Sequence, residues 1–281
     1  MIITSEAAPS PELIPYVRCY TYREFNTHGS DLRKPWFAAH EITMVFFFKD
    51  KPVHFINPQT GQFLQGGCFG GVTGLGTQFN GDMAFNGCYS FFEIVFNPTG
   101  FHKIFRLLPQ EFTNYVINLD DVFGRAVREF YEKLGEASSL TEMVNLTNTF
   151  LQDCLQKSKL PTAPDNITRI STIILKNAGH VNVDQLAKEA NMSKRNFERH
   201  FSEQVGLSPK LFCCVTRFNK AFKIKLENPK KSWTEIANQC GYFDQMHLIK
   251  EFKKFAGSSP SMCYNLSPLR EEIYTARVGT E

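Results

Sequence analysis

The sequence predicts an α+β chain in which an antiparallel β-barrel with trailing helices comes first and an all-α domain second. Three observations carry this expectation. Short apolar runs separated by Gly, Pro, Asn and Asp fill residues 12–98, helical periodicity takes over after about residue 120, and residues 165–265 repeat one helical pattern twice. A length of 281 residues suits two domains, with expected bounds of 1–160 and 165–266 and a tail at 267–281.

The first residues, Met1 to Ser10, lack a basic segment followed by an apolar one, so they do not read as a signal peptide. No stretch approaches the ~20 apolar residues of a membrane span, and a cytoplasmic location without membrane partners is expected. Strands are expected at Ile42–Phe48, Val53–Ile56 and Phe91–Phe96. Strand alternation puts Phe46 and Phe48 on one face and Phe47 on the other. The Gly-rich segment Gly66–Gly81 suits tight turns and bulges. Its Gly71-Val-Thr-Gly74-Leu-Gly76 has the wrong order for a dinucleotide fingerprint, and no amphipathic helix follows.

Helical signals come next. Asp120 is placed to cap a helix running to Gly135, and Ser139-Leu-Thr-Glu142 has capping-box spacing. The helix after it lines up Leu140, Met143, Val144, Thr147, Phe150, Leu151, Cys154 and Leu155. Such a wide apolar face suggests that the two helices form a homodimer contact, with packing on the barrel as the alternative. Lys157 to Pro164, with two prolines, reads as a linker.

Composition narrows the function classes. Hydrophobic residues make up 42% and charged residues 21%, which excludes a disordered chain. Most of the 27 Phe precede residue 131, so a dense aromatic interior with few charges is expected there, suited to a small apolar or ring-bearing molecule or else to a solid core. No ligand-binding residue can be named. The eight Cys form no C-x-x-C pair, and His28, His40, His54 and His102 are scattered, so neither a metal nor another cofactor is indicated. The net charge of +3 divides unevenly. Residues 1–164 carry 13 Lys+Arg against 16 Asp+Glu, whereas residues 165–266 carry 16 against 9. A basic C-terminal half beside a slightly acidic one is the footprint of a nucleic-acid binder with a separate sensing or assembly module.

The repeat explains the basic half. Leu186-Ala187 matches Ile236-Ala237 at an offset of 50, while Ser193, Phe197, Phe201, Gly206 and Pro209 match Asp244, Leu248, Phe252, Gly257 and Pro260 at 51. Each unit reads as a short helix, a turn, a capping Ser or Asp, and a second helix with two apolar residues four apart facing inward. These are two helix-turn-helix motifs, and the second has one extra residue in its turn.

Together with the helix Pro209–Glu227 between them and the closing Gly257-Ser-Ser-Pro260, the units resemble the DNA-binding domain of the AraC/XylS family over essentially all of 165–265. The N-terminal region is similar, more loosely, to the cupin-like barrel-plus-helices sensor half of that family. Its Phe96-Asn-Pro-Thr-Gly-Phe101 and Leu119-Asp-Asp-Val-Phe-Gly124 resemble a common variant of that half. The resemblance implies a bacterial transcription regulator rather than an enzyme. Its partners would be double-stranded DNA and RNA polymerase, with a small-molecule effector in the barrel. Carried over by position, Arg195, Glu198 and Arg199 would meet base edges while Lys194 and Asn196 lie nearer the phosphates. Gln245, Met246, His247 and Lys250 are the corresponding outward residues of the second unit. Met246 departs from the usual polar set and can touch only a thymine methyl.

On the connecting helix, Arg217, Lys220, Lys223 and Lys225 are candidates for phosphate contact. About 18 residues at ~1.5 Å each give ~27 Å, near the ~34 Å of a DNA turn, so one chain could serve two successive major grooves. Two other classes remain to be weighed. A barrel enzyme or a DNA-repair alkyl acceptor would need clustered metal ligands. An effector-independent binder would use the N-terminal half for assembly alone.

Overall fold

A computed structural model describes residues 2–57, 62–64, 69–158 and 165–266. The linker expected through Pro164 and the tail 267–281 lie largely or wholly outside the described residues. Among these residues ten strands form two antiparallel sheets. The larger one has the order β1 (Ile2–Ala7), β2 (Val17–Asn26), β9 (Cys88–Phe96), β4 (Thr43–Phe47), β7 (Gly70–Thr73) and β10 (Val116–Asn118). The smaller has the order β3 (Leu32–Pro35), β8 (Asp82–Phe85), β5 (Val53–Asn57) and β6 (Gln62–Leu64). The expected barrel is therefore open, since among the described residues no ladder joins the two sheets. The chain passes from β2 to β3 through His28 and Gly29, both at positive φ (50° and 80°), and so leaves one sheet for the other.

Alternation then decides what each face does. Register pairs Phe46 with Phe92 and Met44 with Ile94 between β4 and β9. These four are fully buried on the outer face of the larger sheet, where Phe46 meets Phe130 edge-on at 5.4 Å. Phe47 and Phe91 lie on the opposite face, 5.6 Å apart, in a cluster that includes Phe25 and Phe85 between the sheets. Glycine is required where backbones cross. A Cβ on Gly74 would lie 1.8 Å from the Phe112 carbonyl oxygen, so only glycine lets this loop run against the 3-10 turn Pro109–Phe112.

Helices cover the outer face. α1 spans Gly100–Phe105. The single helix expected from Asp120 to Gly135 is two, α2 (Leu119–Phe123) and α3 (Arg125–Glu136), broken at Gly124 with φ 59° and ψ −141°. That conformation is open to glycine alone. Asp120 caps nothing and pairs with Arg128 at 2.6 Å instead. At the start of α4 (Leu140–Ser158) the capping box has slipped by one residue. Glu142 N donates to Ser139 Oγ, but the Glu142 carboxylate accepts from the backbone and hydroxyl of Ser138. Met143, Thr147, Leu151 and Leu155 are buried within the chain, and Phe150 stacks on Phe130 at 4.2 Å. Of the eight residues on the apolar face, these four are buried, while Leu140, Val144, Phe150 and Cys154 are partly buried against the same core.

The helical part consists of α5 (Asn166–Lys176), α6 (Val183–Glu189), α7 (Lys194–Val205), α8 (Pro209–Glu227), α9 (Trp233–Gln239), α10 (Gln245–Ala256) and α11 (Pro260–Leu266). It packs directly on the β-rich part. Ala38 N donates to Phe255 O at 2.9 Å, and Asn219 on α8 donates to Ala38 O at 3.1 Å. Lys103 on α1 pairs with Asp165 at 2.5 Å. Burial works against the Asp165 carboxylate, but the hydrogen bonds from Lys103 and Thr168 outweigh it and hold its pKa below the ordinary value.

Candidate nucleic-acid interface

Both repeats fold by the same local rules. The Asn182 side chain accepts from the backbone N–H groups of Asp184 and Gln185 to start α6, and Ser232 forms a complete capping box with Glu235 to start α9. Leu186-Ala187 and Ile236-Ala237 are buried where the second helix of each unit crosses the first. Ser193 accepts from Asn196 N at 3.4 Å and Asp244 from His247 N at 2.7 Å, which starts α7 and α10. Phe197 and Phe201, and likewise Leu248 and Phe252, are fully buried. Gly206 (φ 95°) and Gly257 (φ 72°) terminate the two helices in the left-handed region. Pro209 and Pro260 then open α8 and α11.

The polar faces of α7 and α10 are left outward. Lys194, Arg195, Asn196, Glu198 and Arg199 are all exposed. Lys194 pairs with Asp184 at 2.8 Å, and Arg199 with Glu203 at 3.1 Å one turn further along. On α10, Gln245, Met246 and Lys250 are exposed, and Gln245 accepts from Thr234 at 3.0 Å. His247 differs. Its ring stands edge-on to Tyr242 at 5.3 Å and its Nε2 is 3.6 Å from Glu251, so it leans back along α10 toward these two residues.

Arg217 is a correction to the expected phosphate-facing set. It is only 13% exposed at its side chain, pairs with Glu251 at 2.6 Å and lies over the Tyr242 ring at 4.7 Å. Nothing in the sequence flagged this bond, because its partners are 34 residues apart on different helices. Lys225 is also engaged, donating to the carbonyls of Pro229 and Lys231. Lys220 is exposed, and Lys223 sits 3.6 Å from Glu227.

A cavity of about 280 Å³ lies between the two sheets. Phe47, Phe85 and Phe91 line it, as the aromatic patterning led one to expect, and Phe218, Asn219 and Phe222 of α8 close it from the helical part. The expectation of few charges fails, since Arg18, Arg23, Lys34, Glu41 and Glu93 also reach it. Alternation explains this, because Arg23 and Glu93 share the inner faces of β2 and β9 with the aromatic residues. Arg18 pairs with Glu41 at 2.6 Å. Arg23 is 6% exposed and its Nε has no hydrogen-bond partner among the described residues. Burial, with repulsion from Arg23, pushes the Lys34 amine down to about 8. Among the described residues no group of His, Cys, Asp and Glu is placed to hold a metal, and no helix is long and apolar enough to cross a membrane.

Comparison with known proteins divides along the same line. Residues 186–263 match a family model described as a helix-turn-helix domain, and residues 5–118 match a domain of unknown function, DUF6597. An uncharacterized HTH-type transcriptional regulator of Haemophilus influenzae is 32% identical over 117 residues, 42% of this chain and 37% of that one. The HTH-type transcriptional activator RhaS of Escherichia coli is 32% identical over 83 residues, 30% of each chain. The DNA-binding domain of AdpA, solved in complex with a target DNA, is 28% identical, with 38% of this chain and 97% of that one covered and a TM-score of 0.36. The chain thus spans about a third of the length of the curated relatives it matches.

Proposed function

We infer that this chain, similar in its helical part to AraC/XylS-type transcriptional regulators, binds double-stranded DNA sequence-specifically through α7 and α10, each in its own major groove. One observation carries this reading. Two capped helices present exposed polar faces while α8 fixes their separation, within a basic stretch of chain. Arg195 and Arg199 are suited to guanine, Glu198 to cytosine N4 and Gln245 to adenine. Lys194, Asn196, Lys220 and Lys223 would set register on phosphates, and Lys250 extends the reading face of α10. His247 would have to leave Tyr242 to reach a base.

The test is titration of the full chain onto duplex DNA at several salt concentrations. Affinity is expected to fall log-linearly, with a slope near 0.9 per phosphate neutralised. Salt-insensitive binding, or none, would refute the reading.

Control by a small molecule fits the cavity. Aromatic walls suit a compact apolar or ring-bearing molecule, and Arg23 supplies a fixed donor for its polar end. Because α8 forms part of the wall, occupancy would act on the helix that spaces α7 and α10. A chain acting in this way would also meet RNA polymerase at the promoter. The bounds 1–160 and 165–266 then separate sensing from DNA reading, although the two parts share packed surfaces.

A further inference from the structure

The second unit's extra turn residue can be identified, and it is Phe243. Met192 N donates to Ala187 O at 3.1 Å, and Tyr242 N donates to Ala237 O at 3.0 Å. These equivalent bonds make Met192 and Tyr242 counterparts. Met192 packs against the core of the first unit and Tyr242 is 5% exposed in that of the second. The caps Ser193 and Asp244 are counterparts too. Phe243, between Tyr242 and Asp244, is left without an equivalent.

Phe243 is also 92% exposed, and Met246 in the first turn of α10 is 59% exposed. Turn residues in this position are ordinarily small or polar, because an aromatic ring held in water forgoes its burial free energy. The two apolar side chains flank Gln245 at the end of the helix that opens the reading face. Major-groove base edges present one apolar group, the thymine C5 methyl. Gln245, in turn, has the geometry for adenine, the partner of thymine.

We propose that Phe243 and Met246 form an apolar reader of thymine methyl groups, making the half-site of the second unit A·T-specific while the arginines of the first favour G·C. The proposal rests on the DNA-reading role inferred above, and the experiment separates the two. Duplexes are enriched from a random library on the full chain. Each thymine of the enriched motif is then replaced singly by deoxyuridine, which removes only the methyl.

Wild-type affinity should fall about fourfold for each contacted methyl, the value of one buried carbon group. Phe243→Ser should abolish the loss at one position and Met246→Ser at a neighbouring one, with melting temperatures unchanged because both sites are exposed. An enriched motif indifferent to every uracil substitution would overturn the proposal and leave DNA reading intact. So would Phe243→Ser and Met246→Ser chains that keep the full methyl dependence. Failure of the wild type to enrich any motif would overturn the DNA-reading role, and this proposal with it.

Discussion

Replacing Arg217 with Met should destabilise the second helix-turn-helix unit by about 3–5 kcal/mol, because it strands a buried carboxylate. The side chains of Arg217 and Glu251 are only 13% and 11% exposed, and their 2.6 Å bond ties α8 to α10. Without the guanidinium, Glu251 keeps, among the described residues, His247 at 3.6 Å as a possible cation. The Tyr242 ring, now under Arg217, would lose its cation as well. The paired change Arg217→Met with Glu251→Leu should recover most of the loss, since an apolar pair of similar volume removes both desolvation costs. Urea denaturation of the three variants measures this. A single variant within about 1 kcal/mol of wild type would show that the bond is solvent-screened in solution and that apolar side chains such as Leu248, Phe252 and Phe255 hold α10.

A molecule that fills the inter-sheet cavity at a hundredfold excess over its Kd should raise the stability of the wild-type chain by about 2.7 kcal/mol. Thermal melts against a metabolite library detect this directly. The Arg23 guanidinium is the discriminating group, because it is buried with an unpartnered Nε beside aromatic walls. Arg23→Gln should therefore abolish the response to compounds with a carbonyl or carboxylate and leave the ligand-free melt little changed. Compounds that stabilise both chains equally bind elsewhere. An empty library would favour an effector-independent chain whose β-rich half serves assembly.

How much of this was legible in the sequence depends on the range of the interaction concerned. The caps Ser193 and Asp244, the buried pairs Phe197/Phe201 and Leu248/Phe252, and the strands around Phe46 and Phe91 are written in local spacing, and the structure keeps them. The break at Gly124 is local too, but a lone Gly inside a helical pattern is compatible with either a continued helix or a stop. The open barrel, the Arg217–Glu251 bond and the charged cavity depend on which distant strands and helices meet. Arg23 shows the difficulty well. A charged residue in an alternating strand ordinarily faces water, but Arg23 is 6% exposed in the cavity lining that both sheets and α8 share. The apolar face of α4 is legible in its spacing, whereas what packs on that face is not.

The spacing of the DNA site tests the central claim most directly. With α7 and α10 held by the 19-residue α8, the full chain should enrich from a random library a bipartite motif whose halves are centred about 10–10.5 base pairs apart, one helical turn. Arg199→Ala should relax base preference in one half alone, at a cost of about 1–3 kcal/mol for the affected pair. A single compact motif confined to one groove, or a motif left unchanged in both halves by Arg199→Ala, would contradict the account.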